Sequence, residues 1–254
     1  MMRNIVLILT LLVCAISNYG QTTSVLKNQS DSIEMAFISY NKGIDLYHAN
    51  DFDSSIVLYN QAIQLYPEFV DAYNNRGVAK KRTGDYFGAI KDYDQAIKLD
   101  STISIVYNNK ASAEHHMGDV LQAEKNYQKA IDKEPELFKS YNNSGAMKTD
   151  IQDYSGAMLD LNKCIEINPL YEYAYNNRGY LYTKLKQYQL AILDFNKALE
   201  LNSNYGEAYE NRGITKELME DIEGACLDWE KAAKLGMDFS YVYLSNDCKE
   251  NKSE

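Results

Sequence analysis

The five residues Tyr73–Gly77 read YNNRG, and the same five letters return at Tyr175–Gly179. Three related stretches, YNNKA, YNNSG and YENRG, begin at residues 107, 141 and 209, so the five copies start 34 residues apart. A fixed period of this size is typical of a chain built from stacked structural units, each of which cannot bury its apolar face alone. The YNNRG motif therefore predicts a repeat array, and this array decides the fold.

The unit has a fixed internal pattern once its 34 positions are numbered from Ala36. Position 8 is glycine in five units and Ala111 in the third. Position 20 is alanine except in the first unit, position 24 is a large ring except in the fourth, and position 27 is alanine or cysteine. Proline stands at position 32 of three units, and six units extend to about Phe239. Glycine inside a helix costs about 1 kcal/mol relative to alanine, so five glycines at one position indicate a close helix contact, for which we expect the alanine at position 20.

This order of glycine, alanine, aromatic, alanine and proline resembles the tetratricopeptide repeat (TPR), a helix-turn-helix of 34 residues. The resemblance implies an all-α, right-handed superhelical solenoid of six helix-turn-helix repeats with a C-terminal capping helix. We assign residues 35–239 to the repeats and residues 240–254 to the capping helix and tail. The resemblance also implies a protein-protein interaction scaffold without catalytic activity.

The first 20 residues are predicted to be a signal peptide. Arg3 precedes an apolar run from Ile5 to Ile16 that only Thr10 interrupts, and this run is too short for a bilayer, which needs about 20 residues. We therefore expect an exported protein, periplasmic or secreted, with no membrane span in the mature chain.

The processing site is left open by the sequence. Cleavage fits after Ser17 or after Gly20. A third alternative is a lipid anchor on Cys14, because the residues before it resemble a lipobox, although Val13 is bulkier than the small residue of that motif. A fourth is an uncleaved anchor. Residues 21–34 are mostly polar and are predicted to form a linker.

Composition indicates a folded chain that does not bind nucleic acid. About a quarter of the residues are charged and nearly half are hydrophobic, enough to bury a core, and the formal net charge is −10. An excess of carboxylates repels the phosphate backbone of nucleic acids. The expected partners are therefore proteins or peptides, and the sequence leaves the oligomeric state open.

Helical geometry separates the residues of YNNRG. At about 100° per residue, positions 4 and 8 face the second helix of the same unit, whereas position 6 points the opposite way, together with positions 2, 9 and 13. Position 6 is asparagine in all six units: Asn41, Asn75, Asn109, Asn143, Asn177 and Asn211. An amide offers both donors and an acceptor, so these residues are the candidate peptide-binding site. The row resembles the asparagine ladder that grips extended peptides in the O-linked N-acetylglucosamine transferase. The alternative is that these asparagines only support the helices or reflect duplication of the units.

A clamp for C-terminal carboxylates, known in some members of the family, has lysine at position 5 and asparagine at position 9. Here position 5 is tyrosine, asparagine or glutamate, and position 9 is never asparagine. We therefore expect a partner that does not need a free carboxylate terminus.

Position 7 carries a charge in five of the six units, and a charge near a core needs a partner. The sequence favours the carboxylate at position 23 of the preceding unit as that partner. The predicted pairs are Asp92 with Lys110, Asp160 with Arg178, and Asp194 with Arg212. Pairing within one unit fits less well, because Lys110 would meet Asn126 and Ser144 would meet Asp160. The alternative is independent surface charges.

Aspartate at position 16 is expected to cap the second helix of five units. Gln187 takes that place in the fifth unit, where we expect a weaker cap.

No pattern of residues predicts catalysis, a cofactor or a metal. The chain has three histidines and no glycine-rich phosphate loop or CxxC motif. Cys164 replaces a packing alanine and is expected to be a buried thiol, while Cys226 and Cys248 form either a disulfide or two free thiols. The predicted function is a scaffold that binds extended peptide segments or a partner protein in a concave groove. The alternative is a structural accessory subunit of a larger cell-envelope assembly.

Overall fold

The computed structural model describes residues 29–237 and Cys248. Twelve α-helices make up the regular structure of these residues, and none of them lies in a strand. Helix α1 covers residues 29–48. The others are α2 (Phe52–Leu65), α3 (Val70–Arg82), α4 (Tyr86–Leu99), α5 (Ser104–His116), α6 (Val120–Lys133), α7 (Phe138–Asp150), α8 (Tyr154–Ile167), α9 (Glu172–Lys184), α10 (Tyr188–Leu201), α11 (Gly206–Glu217) and α12 (Ile222–Lys234). Within this part of the chain, no helix has the length and apolar character needed to cross a bilayer.

The helices follow the 34-residue period of the sequence, which confirms the predicted all-α repeat fold. From the second repeat on, every first helix begins at position 1, and in all six repeats the second helix begins at position 17. Each first helix from α3 on packs against the helix that follows it. The chain divides into two compact units: an N-terminal unit up to Thr102 with α1–α4, and a C-terminal unit from Ile103 with α5–α12. The N-terminal unit holds two repeats and the C-terminal unit holds four.

The predicted boundaries change at the N-terminus. Residues 29–34, which the predicted linker includes, are helical and belong to α1. This stretch contains no glycine or proline, so its polar side chains do not prevent a helix. The predicted signal peptide, residues 1–20, lies outside the described residues, as does the predicted capping helix apart from Cys248.

Close packing at position 8 explains the recurring glycine, with a different nearest neighbour from the one expected. A Cβ on Gly179 would lie 2.8 Å from the nearest ring carbon of Phe195, which is the position-24 residue of the same repeat. The equivalent distance from Gly77 to Tyr93 is 2.6 Å. These rings are fully buried. The glycine therefore makes room first for the side chain at position 24, and in the fourth repeat the backbone oxygen of the position-20 alanine, Ala157, also lies 3.3 Å from the added Cβ.

The turn between the two helices is the same in every repeat. Position 15 has a positive φ in all six, with glycine in two repeats and Asn50, Gln152, Lys186 and Glu220 in the others. At position 16 the five aspartates accept a hydrogen bond from the backbone N–H three residues on, as predicted. Gln187 makes no side-chain cap, which confirms the weaker cap of the fifth repeat.

The arginines at position 7 pair within their own repeat, so the predicted pairing with the preceding repeat is wrong. Arg178 donates from Nε and Nη2 to the two carboxylate oxygens of Asp194, at 2.7 and 2.8 Å. The hairpin is the reason: when two antiparallel helices turn at position 15, positions 7 and 23 lie opposite each other. Two further bidentate pairs have this geometry: Arg76 with Asp92, and Arg212 with Asp228.

The same arginines do reach the preceding repeat, but through a neutral residue. Arg178 Nη1 donates to Asn162 Oδ1 at 2.7 Å, and Asn162 is the position-25 residue of the fourth repeat. The corresponding contacts are Arg76 to Asn60 and Arg212 to Asn196, both 2.6 Å. Each guanidinium therefore joins the two helices of its own hairpin to the second helix before it.

Position 11 resolves the two mismatches that argued against pairing within one repeat. In the fourth repeat, Lys148 lies 2.7 Å from Asp160, and Ser144 donates to the same carboxylate. In the third repeat, position 23 is Asn126 and the carboxylate is at position 11. This buried residue, Glu114, accepts a hydrogen bond from Asn126 at 2.7 Å and lies 3.6 Å from Lys110. Burial raises the pKa of Glu114.

The structure confirms the prediction for Cys164 and decides between the two alternatives for Cys226 and Cys248. Cys164 is a free thiol with no exposed surface, as predicted, and burial raises its pKa to about 12. Cys226 and Cys248 form a disulfide with a Cα–Cα distance of 5.7 Å.

Candidate functional site

The predicted site residues lie on the first helices of the repeats, and their amides are already partly engaged. In the N-terminal unit, Asn41 is exposed, while half-buried Asn75 donates from Nδ2 to the hydroxyl of Tyr40 at 2.9 Å. Asn75 is at position 6, and Tyr40 is at position 5 of the repeat before it. The position-6 side chain therefore ties neighbouring first helices together.

In the C-terminal unit, three of the position-6 amides donate to the position-5 amides of the preceding repeat. Asn143 reaches Asn108 at 3.1 Å, Asn177 reaches Asn142 at 2.9 Å, and Asn211 reaches Asn176 at 3.1 Å. The position-5 residues Asn108, Asn142 and Asn176 are buried, and the position-6 residues are half-buried. The asparagines thus form a ladder of side-chain amides along the first helices of this unit.

The position-6 asparagines, which are the rungs of the ladder, differ in which of their hydrogen-bonding groups have a partner. Asn142 Nδ2 donates to Asn143 Oδ1 at 3.2 Å, so the acceptor of Asn143 is occupied. Asn176 Nδ2 instead donates to Glu207 at 3.2 Å. Among the described residues, nothing donates to Oδ1 of Asn177 or Asn211. Each of these two amides therefore keeps an acceptor and its second N–H.

These two amides line a pocket across α7, α9 and α11, of about 230 Å³. Its lining also includes Asn176, the small side chains of Ala146 and Thr149, the ring of Tyr180, and the carboxylates of Asp150 and Glu207. These residues occupy positions 2, 5, 6, 9, 12 and 13. The positions that helical geometry grouped with position 6 therefore do meet on one surface.

Both positively and negatively charged side chains surround this pocket, and the carboxylates outnumber the cations. Asp150 lies 3.4 Å from Nε2 of His115 in the preceding repeat. Lys184 stands over the ring of Tyr180, with Nζ 4.7 Å from the ring centroid, and the hydrogen bond to that tyrosine raises the pKa of Lys184. Burial and then the charge of Glu207 raise the pKa of Glu210 on α11.

A second pocket, in the N-terminal unit, has a more apolar lining and a volume of about 180 Å³. It is lined by Ile44, Tyr47, His48, Tyr59, Asn75 and Val78. This places His48 and one of the predicted site residues, Asn75, on the same surface. No group of three metal-binding side chains occurs in the described part of the chain.

The sequence interpretation treated positions 5 and 6 separately, so it missed the hydrogen bonds that join position 6 to position 5 of the preceding repeat. The signal was present: asparagine stands at both positions in four consecutive repeats, from Asn74 to Asn177. Asparagines at positions 5 and 6 of successive repeats can form hydrogen bonds to one another between repeats as well as to a ligand.

Comparison with known proteins gives the same repeat. Models described as tetratricopeptide repeat match residues 70–103, 105–136 and 172–205, and a model described as TPR repeat matches residues 43–84. Together these matches cover half of the chain. No curated protein sequence gives a significant match.

Solved structures with the same fold have low sequence identity to the chain. The Cut9–Hcn1 hetero-tetramer of the APC/C matches with a TM-score of 0.76 and 16% identity, over 91% of this chain and 47% of that one. This chain thus spans about half the length of the chain it matches there. PilF of Pseudomonas aeruginosa matches with a TM-score of 0.66 and 16% identity, over 85% and 98% of the two chains. MamA of Desulfovibrio magneticus RS-1 matches with a TM-score of 0.53 and 20% identity, over 65% and 94%.

At these identities the structures show a shared fold, and the repeat models show the family. The positions that the models match carry the glycine, alanine and ring pattern that packs the two helices of each repeat together. The chain belongs to the tetratricopeptide repeat family.

Proposed function

We propose that the chain is a non-catalytic scaffold that binds extended polypeptide segments on the first-helix surface of its C-terminal unit. The observation that carries this proposal is the pair of open amides, Asn177 and Asn211, in the pocket across α7, α9 and α11. An acceptor and a donor on one side chain can pair with the N–H and C=O of an extended backbone. Such pairing does not depend on the side chains of the bound segment.

The spacing of the ladder suits an extended chain. Packed helices lie about 8–10 Å apart, and an extended chain advances about 3.3 Å per residue. Each rung then meets roughly every third residue of the segment. The residues in between are free to place their side chains in the pocket.

The test changes the peptide rather than the protein, because replacing Asn177 would also remove its hydrogen bond to Asn142. Peptides are selected on the immobilised chain from a displayed random library, and their affinities are measured by fluorescence anisotropy. N-methylation of single backbone amides should weaken binding about tenfold at positions that face a rung, since each loses one hydrogen bond. Binding that is unchanged by N-methylation at every position would contradict backbone recognition.

Two alanine variants complete the test on the protein side. Asn211→Ala removes an open amide and its hydrogen bond to Asn176, whereas Asn75→Ala removes the equivalent bond to Tyr40 in the other unit. Only the first should reduce affinity for the selected peptides. If neither binds less tightly than the parent, the pocket across α7, α9 and α11 is not the site.

We also propose that the protein is exported, to the periplasm or beyond, with Cys14 as an alternative lipid attachment site. The Cys226–Cys248 disulfide supports this, because such bonds persist in oxidising compartments. Mass spectrometry of the mature N-terminus from its native host tests the proposal. Purification in the same experiment addresses the alternative function: a stoichiometric complex without peptide capture would favour a structural subunit of an envelope assembly.

A further inference from the structure

The pocket across α7, α9 and α11 has an unbalanced charge. Its lining contains two carboxylates, Asp150 and Glu207, and neither lysine nor arginine. Glu207 accepts hydrogen bonds from Asn176 at 3.2 Å and Tyr205 at 3.5 Å. No cation of the described residues pairs with it.

The groups around the lining do not restore neutrality. Glu210 lies one turn further along α11, outside the lining, and burial and then the charge of Glu207 raise its pKa. Lys184 is the cation at the rim, where it stacks on Tyr180. His115 beside Asp150 adds a positive charge only when protonated. With that histidine neutral, the two carboxylates of the lining, Asp150 and Glu207, outnumber the one lysine at the rim.

The size and the other surfaces of the pocket suit one long side chain. A volume of about 230 Å³ lies below the roughly 300–1,000 Å³ of pockets that enclose drug-sized ligands. Tyr180 offers an aromatic ring, and Asn177 and Asn211 offer amide oxygens. A guanidinium can stack on a ring, donate to amide oxygens and pair with a carboxylate at once.

We infer that this pocket receives a basic side chain of the bound segment, arginine before lysine. The inference rests on the proposed function and adds the side-chain chemistry to it. The N-terminal unit provides an internal contrast, because the lining of its pocket holds apolar and aromatic side chains and no carboxylate. The two units are therefore expected to select different side chains.

The experiment uses single blocked residues as probes of the pocket. N-acetyl-arginine methylamide and its neutral isostere, N-acetyl-citrulline methylamide, are titrated into the ¹⁵N-labelled full chain, and the side-chain amide signals of Asn177 and Asn211 are followed by NMR. The arginine probe should bind about fivefold more tightly, the effect of one partly exposed ion pair. The preference should weaken as salt is added.

Two matched variants locate the preference. Glu207→Gln keeps an acceptor for Asn176 and should reduce the difference between the probes, because Asp150 is then the one carboxylate left in the lining. Glu124→Gln removes the same charge from an exposed site on α6 and should leave the difference intact. Equal affinity of the two probes, or probes that leave both amide signals unmoved, would overturn the inference. Neither outcome would affect the N-methylation test, so the basic pocket and the backbone-binding function fail separately.

Discussion

The pairing of Arg178 with Asp194 is the sharpest departure from the sequence interpretation, and a double-mutant cycle tests it. Both residues are changed to alanine, singly and together, on α9 and α10. A parallel cycle combines Arg178→Ala with Asp160→Ala, the partner that the sequence favoured. The structure predicts strong coupling in the first cycle and none in the second.

The magnitude follows from the geometry of the pair. Two hydrogen bonds of 2.7 and 2.8 Å join the groups, and hydrogen bonds to charged groups contribute about 1.5–3 kcal/mol. The side chains are 20% and 9% exposed, so solvent screens the pair in part and reduces its effect. We expect a coupling of about 1–3 kcal/mol for Arg178 with Asp194. Asp160 pairs with Ser144 and Lys148 instead, so its coupling to Arg178 should stay within about 0.5 kcal/mol.

The assay is urea unfolding followed by far-ultraviolet circular dichroism, with free energies compared only among variants of equal m-value. Additive losses for Arg178 and Asp194 would refute the pairing within one repeat. Coupling of equal size between Arg178 and Asp160 would show that position 7 does not lie opposite position 23 in the hairpin.

Three further changes test the packing, the caps and the disulfide by the same unfolding measurement. Gly179→Leu should lower the free energy of unfolding by about 1–3 kcal/mol, because a Cβ already meets a buried ring at 2.8 Å; an unchanged urea unfolding curve would contradict this. Gln187→Asp should add about 1 kcal/mol by supplying the missing cap, and Asp153→Gln should cost a similar amount. The cap bond from the backbone lowers the pKa of Asp153. The contribution of Asp153 to stability is therefore complete above the ordinary carboxyl pKa of about 3.9 and is lost as the pH falls through the lower folded value. A stability difference between the parent and Asp153→Gln that persists under strongly acidic conditions would be inconsistent with this. Replacing Cys226 and Cys248 with serine opens a 22-residue loop and should cost about 3 kcal/mol, whereas equal stability would indicate thiols in solution.

The sequence predicted the register and the caps, which depend on the period and on local chain geometry. The period set the register, and the second helix of every unit begins directly after position 16, where the capping residue was predicted. The caps were also predictable, because an aspartate that binds the backbone three residues on involves only local chain geometry. The left-handed residue at position 15 could have been found from Gly84 and Gly118, but Lys186 and Glu220 at the same position concealed it.

Side-chain pairing was harder to predict because it depends on which helices face each other. Matching charges between neighbouring units gave a consistent but wrong set of partners. The correct set needed the antiparallel rule that opposing positions add to 30, and it needed position 11, where Lys148 or Glu114 changes the local charge. Residue identity alone does not show which positions of the two helices lie opposite each other.

Asn177 and Asn211 keep an unoccupied amide oxygen because of two neighbouring glutamates, and not because of any difference among the asparagines themselves. In the second, third and fourth repeats, the position-5 amide turns to its position-6 neighbour and occupies that acceptor. In the fifth repeat, Asn176 turns instead to Glu207, which leaves Asn177 open. In the sixth, position 5 is Glu210, which has no N–H to donate, so Asn211 stays open as well. One of these glutamates, Glu207, is therefore both a carboxylate of the pocket lining and the residue that leaves Asn177 available. The asparagines at position 6 are therefore not equivalent: Asn75 and Asn143 use their acceptors within the ladder, whereas Asn177 and Asn211 hold the helices together and also retain hydrogen-bonding groups for a ligand.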